Sequence, residues 1–283
     1  MLVTTKEMLL DAQRGHYAVG AFNIEDLEFV MAVVKAADEM QAPVILQTTP
    51  GSVKYAGLDY FYAMAAAAAK KTRVPVALHL DHGDGFALCM RAIHAGYTSV
   101  MIDGSHDPFE TNIAITASVA RVGAAMGVPV EAELGKVGGK EDDGKDAGDD
   151  NPFTDPDEAK EFVLKTGCTS LAVGVGTAHG VYKGTPHVEQ EVLKAIASVV
   201  DIPLVLHGTS GVPDEQVKEA IKNGVCKVNY ATELRQAYMR GFMDFMNENP
   251  DAFDPKKPAA SGMAEIEKVV ASHMENLGSA NKA

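Results

Sequence analysis

The chain has 283 residues, 46% of them hydrophobic and 23% charged, with a formal net charge of −14. That length suits one large α/β domain whose core needs neither disulfides nor structural metals. The acidic balance excludes nucleic acid and anionic membrane surfaces as expected partners, so an anionic substrate must be held by local features. In chain order, strand-length apolar runs are predicted at 17–22, 43–48, 74–80, 99–103, 128–133, 170–174, 202–207 and 226–230. They are nearly uniformly apolar, as in a parallel sheet covered on both faces. Segments of helical period separate them. Over 27–40, Val30, Val33, Val34 and Ala37 share one face. The segment 213–223 opens with Pro-Asp-Glu and stops at Asn223-Gly224.

Eight such units predict a single (β/α)₈ TIM barrel over residues 1–283. An open doubly wound sheet would call for a Gly-rich fingerprint after the first strand, and Gly20-Ala21-Phe22-Asn23 is not one. One segment breaks the alternation: 135–151 reads GKVGGKEDDGKDAGDDN, without apolar period. On composition it is a solvated acidic loop; in a compact domain it is also a candidate mobile active-site loop. Cys89, Cys168 and Cys226 are far apart in apolar contexts, as expected for buried thiols in a reducing compartment. Residues 1–6 have no signal-peptide pattern, and the Ala-rich run 63–69 is too short to span a bilayer. A soluble cytoplasmic protein is expected.

Barrel active sites lie at the C-terminal strand ends. Here those ends are conspicuously polar: His79-Leu80-Asp81-His82, Asp103, Glu131-Ala132-Glu133, Gly176 to Gly180 with His179, His207 to Gly211, and Asn229 to Thr232. Each histidine alone is most simply a hydrogen-bonded side chain. Three on one rim, His82, His179 and His207, with carboxylates at neighbouring ends, point instead to a catalytic metal with one open position. His16, His94, His106, His187 and His273 fall at helix ends or in loops and receive no role. The run Gly208-Thr209-Ser210-Gly211 offers amides and hydroxyls ahead of a helix, a suitable phosphate cradle. Asn229 and Thr232 would complete it, although Thr232 also reads as a plain N-cap of a helix over 233–245.

These motifs resemble those of the class II, zinc-dependent fructose- and tagatose-bisphosphate aldolases. The matching segments are YAVGAFNI, HLDHG, SVMIDGSH, VEAELGKVGGKEDD, GTAHGVYKG, PLVLHGTSG and KVNYATEL, in order from Tyr17 to Leu234, with GSANKA at the end. The shorter, tagatose-bisphosphate type is the nearest, through Thr49-Pro50-Gly51 and Gly176–Gly180. The resemblance implies that His82, His179 and His207 hold Zn²⁺, and that Asp103 and Glu133 contact an alternative or second metal position. It implies that Asp81 exchanges the proton of the C4 hydroxyl and Glu141, on the acidic loop, the proton at C3. It further assigns Gly180, Gly208, Thr209, Ser210, Asn229, Tyr230, Ala231 and Thr232 to dihydroxyacetone phosphate, Lys183 to its charge, and Thr49 to the far phosphate. A monovalent cation, a homodimer or homotetramer, and an accessory aldolase subunit are part of what the family implies.

The sequence departs from the tagatose type at Gln47 and Thr48, which replace small residues, and at Gly20 and Tyr230. Three rivals are weighed. A Schiff-base aldolase needs a desolvated lysine, and Lys227 is the one strand lysine. A metal-dependent hydrolase barrel typically opens with His-x-His on its first strand, which is absent. A non-catalytic phosphosugar-binding subunit would have lost part of the set His82, His179, His207, Asp81 and Glu141, all of which are present.

Overall fold

The computed structural model describes residues 2–139, 153–182 and 184–283. All eight predicted strands form: β1 (Val19–Asn23), β2 (Val44–Thr48), β3 (Val76–Gly83), β4 (Ser99–Ile102), β5 (Val130–Leu134), β7 (Ser170–Val173), β9 (Leu204–Leu206) and β10 (Val225–Tyr230). They close into a barrel in the order β1-β10-β9-β7-β5-β4-β3-β2, every pairing parallel. Two further short strands, β6 (Gly138–Gly139) and β8 (Ala178–His179), pair with each other above the barrel. β1 starts later than predicted because Tyr17 and Ala18 give their amides to Ala12 and Leu277, outside the sheet.

Side chains alternate along the strands except where the ladders slip, between Leu80 and Gly83 on β3 and between Val225 and Lys227 on β10. Outward residues such as Leu46, Leu78, Leu80, Ala132 and Val228 join one large core beneath the helices. The helix Leu27–Met40 buries Phe29, Val30, Ala32, Val33, Val34, Ala36 and Ala37, and Asp26 caps it by accepting from the Phe29 amide at 3.0 Å. Inside, the lowest layer is apolar: Val19, Ala21, Ile45, Ala77 and Cys226 meet Met8, Leu9 and Ala12 of the helix Thr5–Gly15. That helix precedes β1 and plugs the N-terminal mouth.

Above this plug the interior turns polar. Lys227 lies 2.9 and 3.1 Å from the two Glu131 oxygens, both side chains buried, so each charge has its partner. Burial pushes the pKa of His79 down to about 3, keeping it neutral; its Nδ1 lies 2.8 Å from Ser99 Oγ. The barrel is therefore filled from an apolar floor to a polar rim, which fits the active-site polarity of this architecture.

Cys89, Cys168 and Cys226 are buried and unpaired. Burial pushes the Cys89 and Cys226 thiols up to about 12 and Cys168 up to about 11. Since the thiolate is the reactive form, an aromatic disulfide reagent at pH 8 should label none of them in the folded chain and all three in denaturant. A fast-reacting native thiol would contradict this account. Among the described residues, no helix is long and apolar enough to cross a membrane.

Candidate active site

On β3, period two places His79 and Asp81 inside the barrel, so His82 would face outward. It does not. The β3–β4 ladder shifts register between Leu80 and Gly83, and His82 takes a left-handed conformation with φ 47°. This irregularity brings two consecutive side chains, Asp81 and His82, into the same mouth, at a backbone cost of about 1–2 kcal/mol. Gly83 permits it: a Cβ there would sit 2.9 Å from Cys89 Sγ and closer still to the Met101 carbonyl. Gly83→Ala should lower stability by about 1–3 kcal/mol and weaken metal retention by displacing His82. Thermal denaturation and metal analysis check this, and an unshifted Tm with full metal content would refute it.

His82 is the next-to-last residue of β3, His179 lies on β8, and His207 follows β9. Their ring centroids are 5.1 Å (His82–His179), 4.8 Å (His82–His207) and 6.1 Å (His179–His207) apart. One nitrogen from each lies within 4.8 Å of the other two. Behind His82, Nδ1 lies 2.8 Å from Asp103 Oδ2; behind His207, Nε2 lies 2.9 Å from Glu131 Oε1. Burial alone would raise the carboxyls of Asp103 and Glu131. His82 and Ser105 hold the first, and Lys227 and His207 the second, well below the usual range.

With those carboxylates accepting from the rear N–H groups, His82 Nε2 and His207 Nδ1 turn lone pairs toward each other at 3.1 Å. Facing lone pairs need a cation between them. Glu133 Oε2, 3.2 Å from His207 Nδ1, adds an acceptor at the same point. A tetrahedral zinc with Zn–N of about 2.0–2.1 Å separates its nitrogens by roughly 3.3 Å, so the donor set fits such an ion. Burial opposes protonation of His207, but Glu131 and Glu133 outweigh it and raise its pKa to about 9, making a proton the metal's competitor. Burial and the neighbouring imidazoles keep His179 well below its ordinary value, hence in the neutral form that could ligate a metal.

Asp81 sits beside this centre, its Oδ1 4.0 Å from His82 Nε2. Asn229 Nδ2 donates to Oδ1 and Gln47 Nε2 to Oδ2, both at 3.1 Å, and Gln47 also reaches Asn23 Oδ1 at 2.7 Å. Adjoining Asp81 and His179, a pocket is lined by Asn23, Gly180, Gly208, Thr209, Ser210, Asn229, Ala231 and Thr232. Gly208 is needed where the walls meet: with φ 63°, a Cβ would come within 2.6 Å of the Ala178 backbone. Tyr182 ties the same two segments, its hydroxyl accepting from Ala178 N and donating to Gly208 O, each at 2.7 Å.

The family model "Fructose-bisphosphate aldolase class-II" matches residues 3–282. This chain belongs to the class II fructose-bisphosphate aldolase family. It is an enzyme, a lyase that breaks a carbon–carbon bond. The aldolase is 47% identical over 273 residues to the D-tagatose-1,6-bisphosphate aldolase subunit GatY of Klebsiella oxytoca, covering 95% of this chain and 96% of the relative. The YdjI aldolase of Escherichia coli K12 superposes with a TM-score of 0.87 at 35% identity, over the full length of both chains. The fructose-bisphosphate aldolase of Campylobacter jejuni, at 24% identity, shares the fold, with a TM-score of 0.85 over 100% of this chain and 97% of that one.

Most residues singled out in the sequence of this aldolase come together: the three histidines, Asp81, Asp103, Glu133 and the lining of the small pocket. Thr232 does not cap its helix. Ala231 holds that position without a side-chain bond, and Thr232 opens the helix Thr232–Glu248 at the pocket wall. Tyr230 stays out of the lining: by alternation its ring points outward, stacked on His273 at 3.7 Å. Thr48 likewise turns out, to Tyr97 at 2.9 Å, so of the two bulky departures only Gln47 faces the site. Thr49 is buried at the N-cap of the helix Pro50–Ala56. Glu141 and Lys183 lie outside the described residues. Lys227 is engaged by Glu131 in a buried ion pair, which leaves the Schiff-base reading without a nucleophile. Sequence reasoning gave no role to Glu131, Asn23 and Tyr182, and marked Gln47 only as a departure from the family and not as a partner of Asp81. Strand parity was the available signal for Glu131, Asn23 and Gln47; nothing local marks Tyr182.

Proposed function

We propose that this aldolase cleaves ketose 1-phosphates by metal-assisted retro-aldol chemistry, with tagatose 1,6-bisphosphate the preferred substrate. The observation that carries the reading is the juxtaposition of three converging imidazoles, the Asp81 carboxylate and the hydroxyl- and amide-lined pocket of residues 208–210 and 229–232. His82, His179 and His207 would hold Zn²⁺, with Asp103 and Glu131 orienting the first and third, and Glu133 near an alternative position. When bound, the ion supplies Lewis-acid stabilisation of the charge that develops beside the C2 carbonyl.

The remaining work belongs to the chain. The pocket takes the C1 phosphate through backbone amides and the Thr209 and Ser210 hydroxyls, with the N-terminus of the helix Thr232–Glu248 favouring the anion. Asp81 receives the C4 hydroxyl proton as the C3–C4 bond breaks, the electron pair remaining on C3, and returns it in synthesis. Glu141 protonates C3 after the aldehyde has left. The pairing of Gly139 with His179 supports that role, because the last described residue before the acidic segment thereby lies beside a proposed metal ligand. Lys183, three residues beyond Gly180, adds charge to the phosphate.

The name of the 47%-identical relative supports the tagatose substrate, and its designation as a subunit supports an accessory partner. A cytoplasmic homodimer or homotetramer, assisted by a monovalent cation, completes the reading. Fructose 1,6-bisphosphate, or a ketose 1-phosphate with another C6 group, is the second reading, favoured by the placement of Gln47 under Asp81. The test is dihydroxyacetone phosphate release from a panel of such ketoses, with chelator and then with zinc restored. Chelator-sensitive cleavage with tagatose 1,6-bisphosphate ranked first is expected. Chelator-resistant cleavage would remove the metal mechanism, and a different ranking would remove the substrate.

A further inference from the structure

The phosphate pocket has an unexpected neighbour. Gly211 N donates to Glu233 Oε1 at 2.6 Å, which sets a carboxylate at the edge of the loop intended for a phosphate. Like charges this close weaken anion binding unless the carboxylate is compensated and held. Its second oxygen, Oε2, lies 2.6 Å from His273 Nε2, in the C-terminal helix Lys256–Asn276. The imidazole is stacked on Tyr230 at 3.7 Å with an interplanar angle of 18°, and Tyr230 stacks in turn on Phe22 at 5.7 Å. Tyr230 directly follows Asn229, the donor to Asp81. A continuous run of contacts thus joins the last helix of the chain to the loop 208–211.

We infer that His273 is a positioning residue for substrate phosphate: through Glu233 it fixes the Gly211 amide and occupies the carboxylate oxygen that would otherwise face the bound anion. Neither side chain touches substrate. The inference rests on the phosphate-pocket reading of 208–210 and 229–232. In the absence of the imidazole, Glu233 loses one of its two partners and is free to swing toward the pocket. The loop then loses its anchor at Gly211 and gains a repelling neighbour.

The experiment compares His273→Ala, His273→Gln, the double variant His273→Ala with Glu233→Gln, and Ser210→Ala as a control, all as full-length zinc-loaded enzyme. His273→Ala should raise KM for the ketose 1-phosphate about tenfold, the size of one lost charge-assisted hydrogen bond. Its kcat should stay within about twofold, since the reacting atoms are elsewhere. The inhibition constant of inorganic phosphate should rise by the same factor while bound zinc is unchanged. The double variant should recover most of the loss, because it carries no free carboxylate, and His273→Gln should recover part of it through its amide donor. A fall in kcat with unchanged KM, or a double variant no better than the single one, would overturn the inference. If Ser210→Ala raises KM and the His273 variants do not, the inference alone fails; if Ser210→Ala changes nothing, the phosphate pocket itself is misplaced. Should His273→Ala not fold, His273→Gln decides by the same KM-against-kcat split.

Discussion

Asp81→Asn should lower kcat for ketose 1-phosphate cleavage by roughly 10²–10⁴-fold, the usual worth of a positioned general base, with the metal still bound. Asp81 is buried and lies beside the histidine cluster, and among the described residues no other carboxylate lines the pocket formed by Asn23, Gly208 and Asn229. Both of its oxygens accept from amide donors, Asn229 on one side and Gln47 on the other. An asparagine would turn its own NH₂ group against one of those donors, so a stability loss of about 1–2 kcal/mol should accompany the kinetic one. Steady-state cleavage, metal content and thermal denaturation measure the three parts. The decisive comparison is exchange of the C3 proton of dihydroxyacetone phosphate with solvent. That half-reaction belongs to Glu141 in the proposed mechanism, so it should persist in Asp81→Asn. Loss of exchange together with cleavage would mean that Asp81 serves substrate binding or the metal and is not the C4 base.

The second large effect is expected at the metal. His207→Ala should empty the site and lower activity by more than about 10³-fold, equivalent to several kcal/mol of lost charge stabilisation in the transition state. His179→Ala should lose metal and activity to the same degree. The two should differ in stability. Removal of His207 strips a partner from Glu131 and from Glu133 deep in the barrel, a cost of about 1–3 kcal/mol. Lys227 still satisfies Glu131, which keeps that cost below the loss of a whole buried ion pair. Metal stoichiometry by atomic absorption, read beside Tm, separates the effects. One equivalent of zinc retained by His207→Ala, with activity, would show the ligand set to be wrong.

The (β/α)₈ barrel was legible because its evidence is local and repeated. Uniformly apolar runs of strand length alternate with helical periods, as a parallel sheet covered on both faces requires, and the missing Gly-rich fingerprint after the first strand argues against the open doubly wound form. Errors were confined to the ends, as at residues 17 and 18, where the first helix and the end of the C-terminal helix take the backbone bonds that a strand would have used. The kinds of side chain gathered at the rim were legible for a related reason: histidines and carboxylates at the ends of apolar strands cost desolvation energy that a core gains nothing from. Parity along the strands would also have marked Glu131, Lys227 and Asn229 as inward-facing, and the same rule excludes Tyr230 and Thr48.

Parity by itself gives the wrong answer at His82. Adjacent strand residues cannot face the same way, yet Asp81 and His82 do, because the ladder to β4 slips and His82 accepts a left-handed backbone that Gly83 makes room for. That choice depends on β4 lying alongside, and on no residue of β3 alone. The brace that joins Ala178 to Gly208 through Tyr182, and the one that joins His273 to Gly211 through Glu233, connect positions 30 and 62 residues apart in a chain whose local patterns reach only a few. The sequence determined the barrel, the facing of residues along its regular strand stretches and the kinds of atom at the rim, since those follow from periodicity and the cost of burying charge. The tertiary structure decided which of those atoms meet, because distances between separate strand ends are set by ladder register and loop closure, which no single segment encodes.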